Sequence, residues 1–235
     1  MSKPTGIAVF ADFDDTLTVQ NAAHLLLQQF APEAMKKYSG MYRSGEITFR
    51  EYQERSFDAV TASVEEMQAV VAEEIQLRDG LRELVEAVSI AGGSLTIVSA
   101  GLRFYIDPVL EAGGFGDLKV VCGTAVREAA DTGSFRYDYP FKNAQNEPCR
   151  GDWSTCKCKA VAEAGEGVTT VFVGDGNTSD ACVAPRADYV FARDRLLKIC
   201  VDSGVDATPF EDFYPVAEFV RKLAATSRES SAEPR

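Results

Sequence analysis

The stretch VFADFDDTLT, Val9–Thr18, decides the fold. It begins as the end of an apolar run, GIAVFADF (Gly6–Phe13), rich in strand-forming residues and short enough for one buried strand. The run stops at Asp12, Asp14 and Asp15. In an extended segment residues i and i+2 point the same way, so Asp12 and Asp14 crowd two carboxylates into one small volume. Left alone this is costly. Either a divalent cation relieves it, and hard oxygen ligands suit Mg²⁺, or the pair shares a proton and one member becomes an acid. An ionised Asp12 is then a candidate nucleophile. Asp14 is a candidate general acid and base. Asp15 reads as a solvated neighbour, and Thr16 as a residue whose hydroxyl holds the turn.

Outward from this strand the pattern changes period. From about Asn21 to Val88 it is helical, punctuated by Gly40, Gly45 and Gly80. Strands return at SLTIVSAG (Ser94–Gly101), LKVVCG (Leu118–Gly123), VTTVFVGDG (Val168–Gly176) and ADYVFA (Ala187–Ala192). A hairpin is expected around Asp131–Gly133. Helices are expected over Phe104–Ala112, from Lys157, through RDRLLKIC and through VAEFVRKLAA. Strands alternating with helices predict an α/β protein with a parallel sheet. The expected division is a discontinuous core, 1–18 and 90–225, an inserted helical cap, 19–89, and a polar, disordered tail, 226–235.

In open parallel sheets ligands bind beyond the carboxyl ends of the strands. Three of the expected strands end in suitable groups, at Asp12, Ser99 and Asp175. VSAG offers the Ser99 hydroxyl and the N–H groups of Ala100 and Gly101 to a phosphate oxygen. GDGNTSD places Asp175 at a strand end and Asp180 five residues later, with Gly174 and Gly176 allowing a tight bend. Lys157 opens a helix, where side-chain charge and helix dipole both favour an anion; Lys159 competes for the role.

Composition bounds the partners. The 235 residues carry a formal net charge of −12, which excludes a nucleic-acid backbone as an expected partner. No apolar run approaches a membrane span, and MSKPTG lacks the pattern of a secretory signal. A cytoplasmic protein is expected. Of the six cysteines, Cys149, Cys156 and Cys158 cluster, but without a second pair for a zinc site; reduced thiols are expected.

These motifs resemble those of the haloacid dehalogenase superfamily of phosphatases. Asp12, Asp14 and Thr16 match its Asp-x-Asp-x-Thr motif, Ser99 its strand-end hydroxyl, Lys157 its helix-start lysine, and Asp175 with Asp180 its acidic pair. The resemblance implies a Rossmann-like core with an inserted helical cap of the C1 type. It also implies an aspartyl-phosphate intermediate on Asp12, with Mg²⁺ held by the Asp12 side chain, the Asp14 backbone carbonyl and Asp175. Within the superfamily the chain resembles the phosphoserine phosphatase-like branch, and there the methionine-salvage phosphatases, through TCKCKAV, DYVFARDRLLKIC and PFEDFYPV. One departure stands out. That branch usually spaces the acidic pair by four residues, whereas here position 179 is Ser, which leaves the role of Asp180 open.

The substrate expected is a small phosphorylated metabolite, either a methionine-salvage ester or phosphoserine, phosphocholine or pyridoxal phosphate. Two other classes share the motif: a dehalogenase, disfavoured by Asp14, and a phospho-accepting signalling domain, disfavoured by the helical insert. In the cap, Arg43, Arg50 and Arg55 are candidates for reading a substrate carboxylate, although solvated helix-face positions are the simpler reading. His24 is a candidate pocket residue, with a packed histidine as the alternative. Phe49, Tyr52 and Phe57 read as cap core. Oligomeric state is not encoded in any motif.

Overall fold

The computed structural model describes residues 6–127, 134–139, 141, 152–176 and 179–232. Seven strands form one sheet in the order β4-β3-β2-β1-β5-β6-β7. β1 (Gly6–Ala11) lies at its centre, paired in parallel with β2 (Ser94–Leu102) and β5 (Val168–Gly174). β3 (Lys119–Val126) extends one side, and β6 (Tyr189–Ala192) and β7 (Thr208–Pro209) the other, all parallel. β4 (Arg136–Asp138) pairs antiparallel with β3, so the expected hairpin forms, although its turn lies outside the described residues.

Both faces of the sheet are covered, which is why its strands are apolar without alternation. Ile7, Val9 and Ala11 of β1 join one core cluster, and Ala8 and Phe10 the other. The first cluster is shared with α5 (Leu81–Ile90), α6 (Arg103–Ala112) and α10 (Tyr214–Ala232). The second includes residues of α7 (Lys157–Ala162), α8 (Ser179–Val183) and α9 (Asp194–Ser203). Chain order runs outward from β1 to one side and then to the other, making β1 the switch point beyond whose carboxyl end a ligand site is expected.

The helical block between β1 and β2 starts with α1 (Ala22–Phe30), α2 (Pro32–Ser44), α3 (Phe49–Asp58) and α4 (Val64–Glu74). α3 and α4 each begin with a reciprocal capping box, Thr48 with Glu51 and Ser63 with Glu66, satisfying two otherwise orphaned N–H groups at each start. The chain enters and leaves these four helices side by side. Val19 N donates to Gln76 O at 2.8 Å and Arg78 N to Leu17 O at 2.8 Å. α5 comes after that crossing and packs against α10 and β2, although the sequence division assigns it to the cap.

At the other end, α10 continues to Ala232, where disorder was expected from Thr226. Thr226–Ala232 contains neither Gly nor Pro, so a helix started on the core can propagate through it. No described helix is long and apolar enough to cross a membrane.

Candidate active site

Four strand or helix ends converge at the switch point. Asp12 follows β1 directly, its N–H extending the ladder to Val173 O at 2.9 Å. Phe13–Leu17 then form a turn closed by Thr18 N donating to Phe13 O at 3.1 Å, in which Asp14 (φ −63°, ψ 131°) and Asp15 depart from helical geometry. Within it Asp15 has φ +62°, a left-handed conformation disfavoured for a side chain other than glycine. Two contacts hold it there. Asn21 Nδ2 donates to Asp15 Oδ2 at 2.8 Å, and the Arg78 guanidinium to Asp15 O at 3.0 Å. Asp15 is therefore tied into the turn, whereas the sequence had suggested a solvated neighbour.

Lys157 is the buried centre of the site, 2% exposed. Its Nζ contacts Asp12 Oδ1 at 2.7 Å and Asp180 Oδ1 at 2.5 Å. Burial pulls the lysine pKa down, but Asp12 and then Asp180 outweigh it and hold the pKa above its ordinary value. Lys159 instead lies over the Phe141 ring at 5.6 Å. The geometry thus brings Lys157, not Lys159, to the acids.

Asp12 Oδ1 also accepts from Phe13 N at 2.7 Å. Burial raises the Asp12 pKa well above the usual carboxylate value, Asp180 adds to this, and Lys157 opposes it. Asp14 Oδ1 accepts from Ala22 N at 2.7 Å, so this side chain caps the first turn of α1. Burial brings its pKa to about 7. Asp175 accepts the Thr16 hydroxyl on Oδ1 at 2.6 Å, and burial brings its pKa to about 6. Thr16 thus reaches across to the neighbouring strand end. The turn itself is held by Thr18, whose hydroxyl contacts Phe13 O at 3.1 Å.

Asp180, fully buried, engages Lys157 with one oxygen and Gly176 N with the other, at 2.9 Å. That closeness explains the glycines. A Cβ on Gly174 or Gly176 would lie 2.7 or 2.9 Å from Asp180 Oδ2, so room for the acid, not an unusual bend, excludes a side chain. Ser99 Oγ, buried, accepts from Gly101 N at 2.9 Å. The Gly101 N–H, expected to face a phosphate, is therefore engaged locally.

Carboxylate oxygens of Asp12, Asp175 and Asp180 lie within 4.8 Å of one another. The donor set is all oxygen and its burial disfavours ionisation, so a hard divalent cation fits it. Both Asp180 oxygens already have partners. This leaves Oδ2 of Asp12 and Oδ2 of Asp175 as the available side-chain donors. Cys156 and Cys158 take no part in this group, and Cys149 lies outside the described residues.

A cavity of about 300 Å³ opens above the acids. Asp12, Asp14, Ser99, Ala100, Gly101, Lys157, Asp175 and Gly176 form its floor, while His24, Leu27, Phe49, Tyr52, Gln53 and Phe57 supply the opposite wall. His24 is thus a pocket residue. Arg55 is not among the lining residues; it pairs with Glu51 at 3.1 Å. Arg50 pairs with Glu54 and Asp152, and Arg43 with Ser39. A second cleft of about 430 Å³ lies beside Leu77, Asp79 and Tyr214, away from the acids.

Three residues escaped sequence reading: Gln53, Tyr105 and Arg78. Arg78 donates from Nε to Thr16 O at 2.9 Å and from one terminal nitrogen to Asp15 O and Thr18 O, both at 3.0 Å. No local pattern links it to a turn some sixty residues earlier.

A Bacillus licheniformis protein, bifunctional enzyme MtnB/MtnX, is 29% identical over the whole of this chain, which spans 53% of it. A 2-hydroxy-3-keto-5-methylthiopentenyl-1-phosphate phosphatase from Bacillus velezensis is 27% identical, covering 92% of this chain and 90% of its own. A protein of the same name from Geobacillus thermodenitrificans is also 27% identical, covering 92% and 96%. Among solved structures, phosphoserine phosphatase from T. onnurineus superposes with TM-score 0.64 at 18% identity, over 94% of this chain and 98% of that one. A phospho-aspartyl intermediate analogue of phosphoserine phosphatase gives 0.65 at 19%, over 93% and 99%. The haloacid dehalogenase-like hydrolase family matches residues 9–184, and the chain belongs to that family.

Proposed function

We propose that the protein is a Mg²⁺-dependent phosphomonoesterase that acts on a small cytoplasmic metabolite through an aspartyl-phosphate intermediate. The observation that carries this is the buried Lys157 on Asp12 Oδ1. It opposes in part the burial that raises the Asp12 pKa, which favours the ionised carboxylate that a nucleophile requires. Ser99 and the Ala100 N–H, with Lys157, bind the transferring phosphate. The cation would sit on Asp12, the Asp14 backbone carbonyl and Asp175, where it supplies charge neutralisation for the phosphate oxygens. Asp14, with a pKa brought to about 7, is protonated enough near neutral pH to give its proton to the leaving oxygen. Once the alcohol departs, the same carboxylate takes a proton from the water that attacks phosphorus and regenerates Asp12. Asp180 orients Lys157. The wall above the acids excludes water from the intermediate.

The relatives of matching length are named for 2-hydroxy-3-keto-5-methylthiopentenyl-1-phosphate, and we assign this chain a substrate of that kind. The wall supports the choice over phosphoserine. Lys157 is the one lysine and there is no arginine among the described lining residues. A carboxylate at the far end of a substrate would find no guanidinium, whereas a thioether tail would find Leu27, Phe49 and Phe57.

Phosphate release by the purified protein, with Mg²⁺ or with EDTA, tests this on the methionine-salvage ester, phosphoserine, phosphocholine and pyridoxal phosphate. Metal-dependent release is expected, with kcat/KM for the thioether ester at least ten times that for phosphoserine. Asp12→Asn is expected to lose at least about a thousandfold in turnover while melting within a few degrees of the native protein. Release insensitive to EDTA, or a variant retaining a few per cent of the rate, overturns the mechanism.

A further inference from the structure

The strand that carries Ser99 leaves its neighbours before it ends. β2 pairs with β1 no further than Ile97, and its ladder to β3 is interrupted between Val98 and Leu102. Ser99, Ala100 and Gly101 thus have no ladder partner, and the backbone groups there need other hydrogen bonds. Side chains supply them to the peptide that joins Ala100 to Gly101. Gln53 Nε2 donates to Ala100 O at 3.1 Å, and the Ser154 hydroxyl donates to the same oxygen. At the other end of that peptide, Gly101 N donates to Ser99 Oγ at 2.9 Å.

The two donors come from different parts of the chain. Gln53 is buried on the cap helix α3, and Ser154 is buried in the segment that leads into Lys157. These parts hold each other. Arg50 Nε donates to both Asp152 carboxylate oxygens at 3.1 Å, Arg50 N donates to Asp152 O at 3.3 Å, and the Phe49 and Trp153 rings meet at 6.1 Å. A peptide is planar, so two donors on its carbonyl also fix the aim of its N–H at Ser99 Oγ. A hydroxyl has one hydrogen and two lone pairs. The Gly101 N–H takes a lone pair, and no described residue accepts the hydrogen, which leaves it for the cavity that Ser99 lines. Hydrogen bonds in series polarise one another, so donation to Ala100 O also makes the Ser99 hydroxyl a stronger donor.

We propose that Gln53 and Ser154 are positioning residues for phosphate binding, which act through the Ala100–Gly101 peptide to set the Ser99 hydroxyl. Ser154 is not among the residues that line the cavity, so its effect on a bound phosphate must pass through the groups it holds. Gln53 belongs to the cap, so the phosphate site is complete only while α3 is seated on the end of β2. The cap thereby contributes to binding the phosphate itself, besides forming the wall above it. This rests on the phosphatase reading of the site.

A double-mutant cycle with Ser99 tests this. The readout is the Kd of inorganic phosphate in the presence of Mg²⁺, measured by calorimetry, which needs no turnover. Ser99→Ala alone is expected to weaken phosphate at least tenfold, the loss of one hydrogen bond to a charged group. Ser154→Ala and Gln53→Met are each expected to weaken it at least fivefold in the native background, and less than twofold in Ser99→Ala. A merely structural role would weaken both backgrounds alike; that result, or a Kd unmoved in the native background, overturns the proposal for that residue. Ser154→Ala deletes a single oxygen outside the cavity, so it decides the matter if Gln53→Met fails to fold. Turnover of p-nitrophenyl phosphate by the native protein separates the two readings. Turnover without phosphate binding, or without the coupling to Ser99, overturns the positioning role and leaves the phosphatase standing. Neither binding nor turnover overturns both.

Discussion

At the scale of single residues, the two acids that begin the site differ less in position than in what holds them. Asp12 is opposed by a buried ammonium; Asp14 is held by the first N–H of a helix. The first contact favours a charged nucleophile. The second fixes a carboxyl whose pKa burial has carried to about 7. Asp14→Asn should keep the helix cap, since the amide oxygen still accepts from Ala22 N, but it cannot deliver a proton. Its turnover of alkyl phosphates should fall about 10²–10⁴-fold, the range usual for general acid catalysis. Turnover of p-nitrophenyl phosphate, whose leaving group needs little protonation, should fall at least tenfold less. Equal losses on both substrates would remove Asp14 from the acid role. These two residues were legible in the sequence as acids packed where an apolar strand stops, but not through the strand period: the turn begins at Phe13, and the close carboxylate group joins Asp12 to Asp175 and Asp180 instead of Asp14. Thr16 was legible only as a hydroxyl near the turn. Its bond to Asp175 crosses 159 positions, and nothing local announces it.

At the scale of elements, the catalytic turn depends on a side chain from the return linker of the helical block. Arg78 gathers the carbonyls of Asp15, Thr16 and Thr18, and a further nitrogen reaches Glu211 O at 3.1 Å. A planar guanidinium can serve diverging acceptors in this way; an ammonium on a flexible stem cannot serve them all at once. Hydrogen bonds from a charged donor contribute about 1.5–3 kcal/mol each, and some of that is recovered by water at a half-buried site. Arg78→Ala is therefore expected to destabilise by roughly 2–4 kcal/mol in urea melts. It should also lower kcat at least tenfold with KM moved less than threefold, because the loosened turn carries reacting groups rather than the cavity wall. Arg78→Lys should recover part of the stability and little of the kcat. A variant with native kcat would show that the turn holds its shape without the clamp. The same scale explains the reading of α5. Helical periodicity reveals an apolar face but not what covers it, so α5 looked continuous with α1–α4, although it packs on α10 beyond the linker crossing. The starts of α3 and α4 carry a local signal, since Thr48 with Glu51 and Ser63 with Glu66 are capping-box spacings.

At the scale of the whole molecule, the parallel sheet and its switch point were readable from alternating strand and helix patterns. The identity of the cavity wall was not, because it depends on which faces of α1 and α3 meet the strand ends. Three carboxylates gathered at one switch point also leave a mark on the stability of the entire chain. Burial raises the pKa of Asp12, brings that of Asp14 to about 7 and that of Asp175 to about 6, against about 3.9 in an unfolded chain. Between those values the folded state binds more protons than the unfolded state, so stability falls as pH rises from about 4 through 7. Lys157, raised above its ordinary value, stays charged in both states across this window and adds no slope. A divalent cation on Asp12 and Asp175 competes with those protons. It stabilises by about 1.4 kcal/mol at ten times its dissociation constant, roughly 3–5 °C for a chain of this size. In EDTA the melting temperature should therefore drop between pH 5.5 and 7.5. With Mg²⁺ the drop should shrink, and the increment from the metal should be larger at pH 7.5. Asp175→Asn keeps the acceptor for Thr16 but removes one charge, so in EDTA at pH 7.5 it should melt at or above the native temperature while losing the Mg²⁺ increment. An increment equal at both pH values would show that the cation does not bind where these carboxylates titrate. If Asp175→Asn kept the full increment, the cation would have to sit on other oxygens.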